Sequence, residues 1–355
     1  MNRDSSYDLV VVGAGPAGLM AAETASSQGI RTLVIEKKST IGLPVRCAGY
    51  VPRLQIRGFD FDKRCIIQHV DKMITYTPWG EVVETKAPGY LIERGLFDKS
   101  LALSAISKGA DIMIKTRFRH LFEGGVILKK AKEEIRIKAK VIVGADGPVS
   151  TVGEEIGKRN VAFISAAQCE VLLNHPLEVT EVYFDSQYTG GYAWLFPRGK
   201  TAYVGVGIRL DIAHRPENAL KHFVNLLSQA GRIRKNSTVG YTCGLIPVGG
   251  YLDGTLKENV LLVGDAAGQT DAITGAGIPQ AVICGKIAGD VAAKAIKEND
   301  LMILGEYEKR WKDLFGKSLN RAFEKRKLLD TSWKDEELDI IIKKTWVAFD
   351  AYWRG

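Results

Sequence analysis

A glycine motif near the start of the chain constrains the fold more than any other feature. Residues 13–18 are Gly-Ala-Gly-Pro-Ala-Gly and follow directly on the apolar run Leu9–Val12. This pattern predicts a buried strand, a tight turn and a helix. Gly13 permits the turn, Gly15 lets the backbone approach a pyrophosphate, and Gly18 lets the helix lie close to the sheet. Because a helix N-terminus favours anions, the motif predicts a dinucleotide site.

A second predicted strand, residues 31–36, ends at Glu36. An acid at this distance after the glycines can accept hydrogen bonds from a ribose diol, and it would repel a 2′-phosphate. These elements alone leave both NAD and FAD open as the nucleotide.

Composition narrows the class of protein. A chain of 355 residues can bury a sizeable core and form two domains. Its five cysteines include no CxxC pair, so we predict neither a disulfide framework nor a metal site and favour a reducing cytoplasm. The net charge of +8 comes from basic residues interspersed with acids, which favours a solvated surface and disfavours nucleic acid as a partner. No signal-peptide pattern or membrane-spanning apolar run is evident.

An irregular loop, residues 37–50, follows the second strand and is punctuated by glycine and proline. Its position predicts that it passes near the nucleotide. Arg46 would then contact a phosphate or substrate, and Cys47 would lie beside the reactive end of the cofactor. A covering loop with a buried thiol explains the same residues equally well.

The middle of the chain is dominated by β-type segments. Strand-like pieces at 73–77 and 81–85 precede a predicted helix at 95–108, and a small meander leads to a strand that stops at Asp146. Alternating segments between 163 and 209 indicate an antiparallel sheet without crossover helices. The strand predicted at 237–247 would lead back to the nucleotide domain.

A second glycine-rich helix start follows the strand that ends in Gly264-Asp265. Residues 275–278 open a long apolar helix and offer another electropositive position, suited to a negative charge developing on a ring. Two charged, Trp-containing stretches, 301–329 and 334–353, complete the chain, and they favour packing with a solvated face over a membrane-surface role.

Three separated motifs then line up: residues 13–18 with Glu36, Gly144-Ala145-Asp146-Gly147, and Gly264-Asp265. Together, over about residues 7–297, they resemble the FAD-dependent para-hydroxybenzoate hydroxylase-like flavoproteins. The resemblance implies FAD as cofactor and an α/β fold. An FAD-binding Rossmann-like domain would interleave with an antiparallel-sheet substrate domain, and C-terminal helices would follow. The expected FAD-binding segments are 1–65, 90–160 and 240–298; the expected substrate sheet is 66–89 with 161–239, and the helical segment is 299–355.

Two further motifs, residues 44–48 (Pro-Val-Arg-Cys-Ala) and 192–199 (Tyr-Ala-Trp-Leu-Phe-Pro-Arg-Gly), resemble the geranylgeranyl reductase group. Those enzymes saturate isoprenoid chains, including those of an archaeal phospholipid. The aromatic residues of the second motif fall at strand spacing, so they would share one sheet face, either as an apolar wall or as ordinary core. The chain departs from the family pattern at Gly49-Tyr50, where a glutamate is common, and near Ala272, where a proline is common.

By motif and resemblance, one set of residues is expected to bind FAD. These are Gly13, Gly15, Ala17, Gly18, Glu36, Arg46, Cys47, Ala48, Arg94, Phe118, Asp146, Asp265, Gly275, Gly277 and Ile278. Asp265 would hold the ribityl or phosphate region, and residues 275–278 would face the flavin pyrimidine edge. Cys47, Tyr192 and Trp194 are the expected catalytic residues: the thiol at the flavin ring, the two aromatic residues along a prenyl cavity.

The resemblance also implies a prenyl-lipid substrate and an external electron donor, which could be NADPH, ferredoxin or a deazaflavin, since no second nucleotide motif is present. We expect a cytoplasmic protein and leave peripheral membrane contact open. One alternative on the same fold is an aromatic-ring monooxygenase or halogenase. Another is an electron-transferring flavoprotein partner that handles quinone, although the cysteine spacing offers no iron–sulfur module.

Overall fold

The structure is a computed structural model that describes residues 4–57, 59, 61–212, 216–333 and 337–354. Its strands are β1 Asp4–Val12, β2 Thr32–Ile35, β3 Tyr50–Pro52, β4 Ile66–Tyr76, β5 Val82–Ile92, β6 Asp111–Met113, β7 Thr116–Phe122, β8 Gly125–Lys130, β9 Glu133–Gly144, β10 Phe163–Leu172, β11 Thr180–Tyr183, β12 Tyr192–Arg198, β13 Thr201–Arg209, β14 Gly240–Pro247, β15 Leu256–Lys257 and β16 Val260–Leu262. Its α-helices are α1 Pro16–Ser27, α2 Arg94–Ser107, α3 Thr151–Glu155, α4 Pro216–Gln229, α5 Ile278–Glu298, α6 Glu306–Trp311, α7 Lys317–Ser332, α8 Leu338–Thr345 and α9 Asp350–Trp353.

The first sheet is the predicted Rossmann-like layer. Its strand order is β15-β16-β9-β1-β2-β6, and β1 is parallel to both β2 and β9. The meander β7–β8 joins it through β9. Side chains of β1 alternate: Leu9 and Val11 pack in the core that includes α1 and α5, whereas Val10 and Val12 pack in the core that includes the meander. Burial on both faces explains why the β1 sequence is continuously apolar.

The second sheet is the predicted antiparallel layer, with the order β14-β10-β13-β12-β11-β4-β5-β3. The pair β11–β4 is parallel and the others are antiparallel. The strand-like pieces at 73–77 and 81–85 are parts of the longer strands β4 and β5. Two strands assigned to the FAD-binding segments, β3 and β14, pair within this sheet instead. The sheet to which β3 and β14 belong is decided by pairing with strands that are distant in the sequence. The local sequence does not carry that information.

The C-terminal helices pack against both layers. On α6, Tyr307 and Trp311 are fully buried in the core of the first sheet. On α8, Ile341 and Ile342 join the core beneath the second sheet. These four side chains therefore pack in the two cores, as expected if the C-terminal stretches pack against the rest of the protein. In the part of the chain that the structure describes, we find no helix with the length and apolarity needed to cross a membrane.

A close approach of α1 and α5 was not foreseen from the sequence. A Cβ on Gly285 would lie 2.2 Å from the carbonyl oxygen of Ala17, and one on Gly289 would lie 2.3 Å from that of Ala21. Only glycine at these two positions lets the α5 backbone rest on α1, which carries the glycine motif. The contact therefore holds the first turn of α1 in place beneath the nucleotide site.

Gly285→Val should consequently lower the free energy of unfolding by about 3 kcal/mol, because the added side chain pushes the two helices apart. Urea unfolding of the FAD-free protein measures this loss. Gly305→Ala is the matched control, since Gly305 has a φ of −61° and a Cβ there meets nothing within 4 Å. We expect the control to stay within about 0.5 kcal/mol of the wild type. Equal losses in both variants would refute the packing argument.

Candidate active site

A cleft of about 580 Å³ opens at the carboxyl ends of the parallel strands, between the first sheet and the β10–β14 edge of the second. Val12, Ile35 and Gly144 are in register across β1, β2 and β9, so these strands end at one edge. Open α/β sheets bind ligands at that edge. Predicted site residues that line the cleft are Gly13, Gly15, Glu36, Arg46, Cys47, Arg94, Phe118, Asp146 and Asp265.

Residues 13–18 form a tight turn with open space beside Gly15, and we call this turn the cradle. A Cβ on Gly13, whose φ is +107°, would lie 2.2 Å from the carbonyl oxygen of Ala145, and one on Gly18 would lie 2.0 Å from that of Gly13. By contrast, a Cβ on Gly15 meets nothing within 4 Å and would extend into open space in the cleft. That space lies at the N-terminus of α1, where backbone N–H groups attract an anion. The cradle fits a dinucleotide pyrophosphate.

Glu36, the residue predicted to bind a ribose, lines the cleft. Its side chain is buried, and its two carboxylate oxygens accept hydrogen bonds from the backbone N–H of Ala14 at 3.0 Å and of Lys38 at 2.8 Å. A carboxylate has about four acceptor positions, so acceptor capacity remains for a ribose diol. The two backbone bonds orient the carboxylate towards the glycine turn.

Asp146 has a local partner. Its carboxylate accepts hydrogen bonds from the hydroxyl of Ser150 and, at 2.7 Å, from the backbone N–H of Thr151 at the start of α3. Burial raises the pKa of Asp146, and these hydrogen bonds counteract that rise. The carboxylate thus stabilises a helix start, and contact of Asp146 with FAD stays a prediction.

Residues that follow Asp265 in the chain hold it in place through hydrogen bonds. It accepts a hydrogen bond from the hydroxyl of Thr270 at 2.8 Å. The preceding Gly264 N–H donates to Oε1 of Gln269 at 2.7 Å, and Nε2 of Gln269 donates to the hydroxyl of Tyr307 at 2.9 Å. Gln269 and Tyr307 escaped the sequence analysis because neither belongs to a motif. Their hydrogen bonds tie the Gly-Asp turn to α6.

Burial raises the pKa of Asp265, so its ionised form is costly in the folded protein at neutral pH. Asp265→Asn should therefore raise the Tm of the FAD-free protein near neutral pH. The gain should vanish at acidic pH, below the ordinary aspartate pKa, where the wild-type carboxyl is protonated too. Affinity for FAD should fall about tenfold through loss of a charged hydrogen bond. Thermal unfolding across pH checks the first result, and a Tm gain that does not change with pH would contradict it.

Cys47 lies in the cleft with its thiol half-buried. Its sulfur accepts a hydrogen bond from the Gly49 N–H at 3.4 Å, and its carbonyl oxygen accepts one from Nε2 of Gln168 at 3.3 Å. Arg94 forms a buried ion pair with Asp98 at 3.0 Å. Burial lowers the pKa of Arg94, but the Asp98 carboxylate and the neighbouring Cys47 thiol outweigh it and raise that pKa overall. The Arg94 guanidinium therefore places a permanent positive charge beside the Cys47 thiol.

The aromatic motif lies on the face of the second sheet that is turned away from α4. Ala193 and Leu195 belong to the core under α4, so Tyr192, Trp194 and Phe196 point to the opposite face. The rings of Tyr192 and Trp194 meet edge to face with centroids 6.1 Å apart. The Tyr192 hydroxyl donates to the carbonyl of Thr274, which joins the wall to the second glycine cluster.

The sequence analysis missed three residues that contribute to this wall: Gly205, Gly207 and Trp346. A Cβ on Gly205 would lie 2.1 Å from the Trp194 ring, so the indole rests directly on the β13 backbone. Gly207 follows on the same face, and the Gly-Val-Gly spacing after the aromatic motif was an available signal. Trp346, between α8 and α9, packs on Tyr192 with ring centroids 5.1 Å apart. No local pattern pointed to that long-range contact.

The other predicted residues are not among those that line the cleft: Ala17, Gly18, Ala48, Tyr192, Trp194, Gly275, Gly277 and Ile278. Gly275 has a φ of +68°, and a Cβ there would lie 3.4 Å from Ile246, which lines the cleft. A Cβ on Gly277 would lie 3.5 Å from Oδ1 of Asp265. The start of α5 thus borders the same space as Asp265. Within the described ranges, no cluster of His, Cys, Asp and Glu side chains suits a metal ion.

Comparison with known proteins agrees with this geometry. A family model described as the geranylgeranyl reductase catalytic domain matches residues 164–246, and one for an NAD(P)-binding Rossmann-like domain matches residues 11–67. The digeranylgeranylglycerophospholipid reductase of Methanocaldococcus jannaschii is 38% identical over 97% of this chain and 92% of its own length. That of Methanococcus aeolicus is 37% identical over 95% and 90%.

A crystal structure of a geranylgeranyl bacteriochlorophyll reductase-like protein from Thermoplasma acidophilum superposes with a TM-score of 0.84 and 28% identity over 97% of both chains. A triple mutant of the flavin-dependent brominase Bmp2 shares the fold at a TM-score of 0.73 and 18% identity, over 98% of this chain and 96% of that one. The fold and family implied by the motifs are confirmed. With its cradle, its Cys47 loop and its aromatic wall, the chain belongs to the geranylgeranyl reductase family.

Proposed function

We propose that this protein is an FAD-dependent reductase that saturates C=C bonds in the geranylgeranyl chains of archaeal-type isoprenoid lipids. One observation carries the proposal: the backbone of Cys47, which lines the cleft with the pyrophosphate cradle, is hydrogen-bonded to Gln168, and the sheet register places Gln168 on the same face as Trp194, two strands away. A redox cofactor, a thiol and an apolar surface are thereby brought to one place. Relatives that match nearly the whole chain are named digeranylgeranylglycerophospholipid reductases.

The proposed FAD site uses the predicted segments of the first sheet. Residues 13–18 receive the pyrophosphate, Glu36 the ribose, and Asp265 with residues 275–278 the flavin half. Once reduced by the external electron donor, FAD bound there would supply the hydride that one alkene carbon accepts. We keep the division into a discontinuous FAD-binding domain and a sheet domain, and we propose that β3 and β14 belong to the sheet domain because they pair within it.

The chain's own residues would perform the remaining tasks. An isolated alkene accepts hydride poorly, so its orientation must supply much of the rate. Tyr192 and Trp194 give an apolar wall against which the prenyl chain can lie, and burial raises the pKa of Tyr192, which keeps its hydroxyl neutral. Cys47 would give the proton to the second carbon, while the Arg94 guanidinium stabilises the thiolate that remains.

The fold alone does not distinguish this proposal from a monooxygenase or halogenase, because flavin-dependent brominases share it. The apolar wall and the family relatives favour a prenyl chain over a compact polar substrate. We also propose an external electron donor, with NADPH, ferredoxin and a deazaflavin as the candidates. Peripheral contact with the membrane would deliver the lipid, and we propose it on that ground.

The experiment is an anaerobic reoxidation assay. Protein loaded with FAD is reduced with dithionite, excess reductant is removed, and a geranylgeranyl phospholipid is added while flavin absorbance is followed. Return of the oxidised flavin spectrum without oxygen supports the reductase. Reoxidation that requires oxygen, and that a phenolic substrate accelerates, would support the monooxygenase instead. Repeating the reduction with each candidate donor identifies the one that transfers electrons fastest.

A further inference from the structure

The last residue of the aromatic motif's strand is a buried cation. Arg198 ends β12, and its side chain is only 6% exposed. A buried charge is costly unless it is paired, so its contacts matter. Its Nη2 donates to Oε2 of Glu93, and its Nη1 donates to the carbonyl oxygen of Ile92 at 3.4 Å. Its Nε lies 3.8 Å from Oε1 of Glu170, and its guanidinium carbon lies 4.2 Å from the centre of the Tyr203 ring.

Glu93, the partner of Arg198, caps the helix that carries Arg94. Its Oε1 accepts a hydrogen bond from the backbone N–H of Gly95 at 3.2 Å, which satisfies a donor in the first turn of α2. The other oxygen of the same carboxylate receives Arg198. These contacts join the end of β12, in the second sheet, to the start of α2. Because Arg94 is the first residue of α2, its position depends on this junction.

The Cys47 loop is held at the same junction. Ile92, whose carbonyl oxygen accepts from Arg198, donates its own N–H to the carbonyl oxygen of Gly49 at 2.9 Å. The N–H of Gly49 in turn donates to the Cys47 sulfur. Arg198 therefore contacts the residue that holds the Cys47 loop as well as the residue that caps the helix start with Arg94.

The Cys47 thiol faces titratable groups from several elements. Arg94 approaches it from α2, paired with a carboxylate of the same helix. Tyr192 and Tyr203 approach from the second sheet, and burial raises the pKa of both, so their hydroxyls are neutral at physiological pH. Arg46, the preceding residue of the loop, is exposed, so water screens its charge. The main positive charge that acts on a Cys47 thiolate is therefore that of Arg94.

We propose that Arg198 is a positioning residue, which keeps the Arg94 guanidinium beside Cys47 by holding the start of α2 and the Cys47 loop against the end of β12. An arginine suits this task, because its planar fork bonds Glu93 and Ile92 through two different nitrogens, whereas a lysine has one charged nitrogen. The proposal rests on the proposed role of Cys47 as proton donor in prenyl reduction, in which Arg94 stabilises the thiolate.

The test is the rate at which iodoacetamide alkylates Cys47 in the full-length FAD-free protein, followed by mass spectrometry of the Cys47 peptide. The thiolate is the reactive form, so loss of a neighbouring cation slows the reaction near neutral pH. We expect Arg198→Met to slow alkylation about fivefold at pH 7 and to leave it unchanged at pH 10, where thiols are largely ionised. Cys243, which is exposed and lines the same cleft, is the internal reference and should react at an unchanged rate.

Arg198→Met should fold, because the side chains of Glu93 and Glu170 are 37% and 30% exposed and water can solvate them once the guanidinium is gone. Arg198→Lys keeps the charge and should react at an intermediate rate, so it carries the test if Arg198→Met is unstable. If Arg198 served only to hold the segments together, a loosened loop would expose the thiol. Alkylation in Arg198→Met as fast as in the wild type, or faster, would overturn the proposal.

A double variant shows whether Arg198 acts through Arg94. Arg94→Gln removes the cation but can still donate to Asp98, and it should slow alkylation at pH 7 at least as much as Arg198→Met. Adding Arg198→Met to Arg94→Gln should then change nothing further. Further slowing in the double variant would mean that the Arg198 charge acts on Cys47 directly, which would refute a positioning role.

Arg232→Met is the matched control. Arg232 pairs with Glu181, whose side chain is only 3% exposed, on the face of the second sheet turned towards α4. Its loss leaves a buried carboxylate unpaired, so it should destabilise the protein and yet keep the Cys47 alkylation rate within about twofold. Equal slowing in Arg232→Met would also overturn the proposal. Alkylation needs no substrate, so it decides the role of Arg198 even if the protein fails to reduce prenyl lipids.

Discussion

Gly15→Val is expected to abolish FAD binding while leaving the fold intact. Gly15 has a φ of −85° and a ψ of 178°, an extended conformation that valine readily adopts. A Cβ there meets no protein atom within 4 Å, and the methyl groups of valine would occupy the space at the start of α1. The pyrophosphate would lose at least two charge-assisted hydrogen bonds, about 3 kcal/mol or more, so FAD affinity should fall by about 10² or more. Flavin-fluorescence titration of the FAD-free protein measures this.

Gly13→Ala is the variant to compare with Gly15→Val. At Gly13 the φ of +107° and the 2.2 Å approach of the Ala145 oxygen forbid a Cβ, so the fold itself should suffer. Gly15→Val should instead stay within about 1 kcal/mol of the wild type in the free energy of unfolding. If Gly15→Val bound FAD with unchanged affinity, the cradle would not be the pyrophosphate site.

Cys47→Ala should lower the kcat for a prenyl substrate by about 10² or more, the usual size of a lost acid–base contribution. FAD should remain bound, because the pyrophosphate cradle and Glu36 lie on other segments. Pre-steady-state flavin reoxidation separates the chemical step from lipid binding. Cys47→Ser, which keeps a weaker acid, should fall between the wild type and Cys47→Ala.

Cys169→Ala is the matched control for the thiol. Cys169 is a buried cysteine on the opposite face of the second sheet, and its loss should leave kcat within about twofold. Unchanged turnover in Cys47→Ala with FAD fully loaded would remove Cys47 from the mechanism. The proton would then have to come from another group at the cleft.

Sequence reasoning succeeded where chemistry imposes short-range patterns. The glycine turn demands residues without a Cβ at fixed spacing, so Gly13 and Gly18 could be assigned roles that their measured clearances explain. The alternation of Tyr192 and Trp194 with Ala193 and Leu195 likewise predicted one shared face, which the sheet displays.

The features that escaped prediction are long-range. Membership of β14 in the second sheet depends on pairing with β10, more than seventy residues earlier in the chain. The hydrogen bonds of Gln269 with Tyr307, and the packing of Trp346 on Tyr192, join segments that no local pattern connects. Asp146 has a structural role that its motif did not reveal: its carboxylate stabilises the start of α3, and its contact with FAD stays a prediction.

Reduction of prenyl double bonds at this cleft is tested most directly by the mass of the product. The FAD-loaded protein would be reduced with dithionite and incubated without oxygen with geranylgeranyl lipids of several chain lengths. We expect products heavier in steps of two hydrogen atoms, with the flavin oxidised in proportion. Unchanged masses for every chain length, with the flavin still reduced, would contradict it.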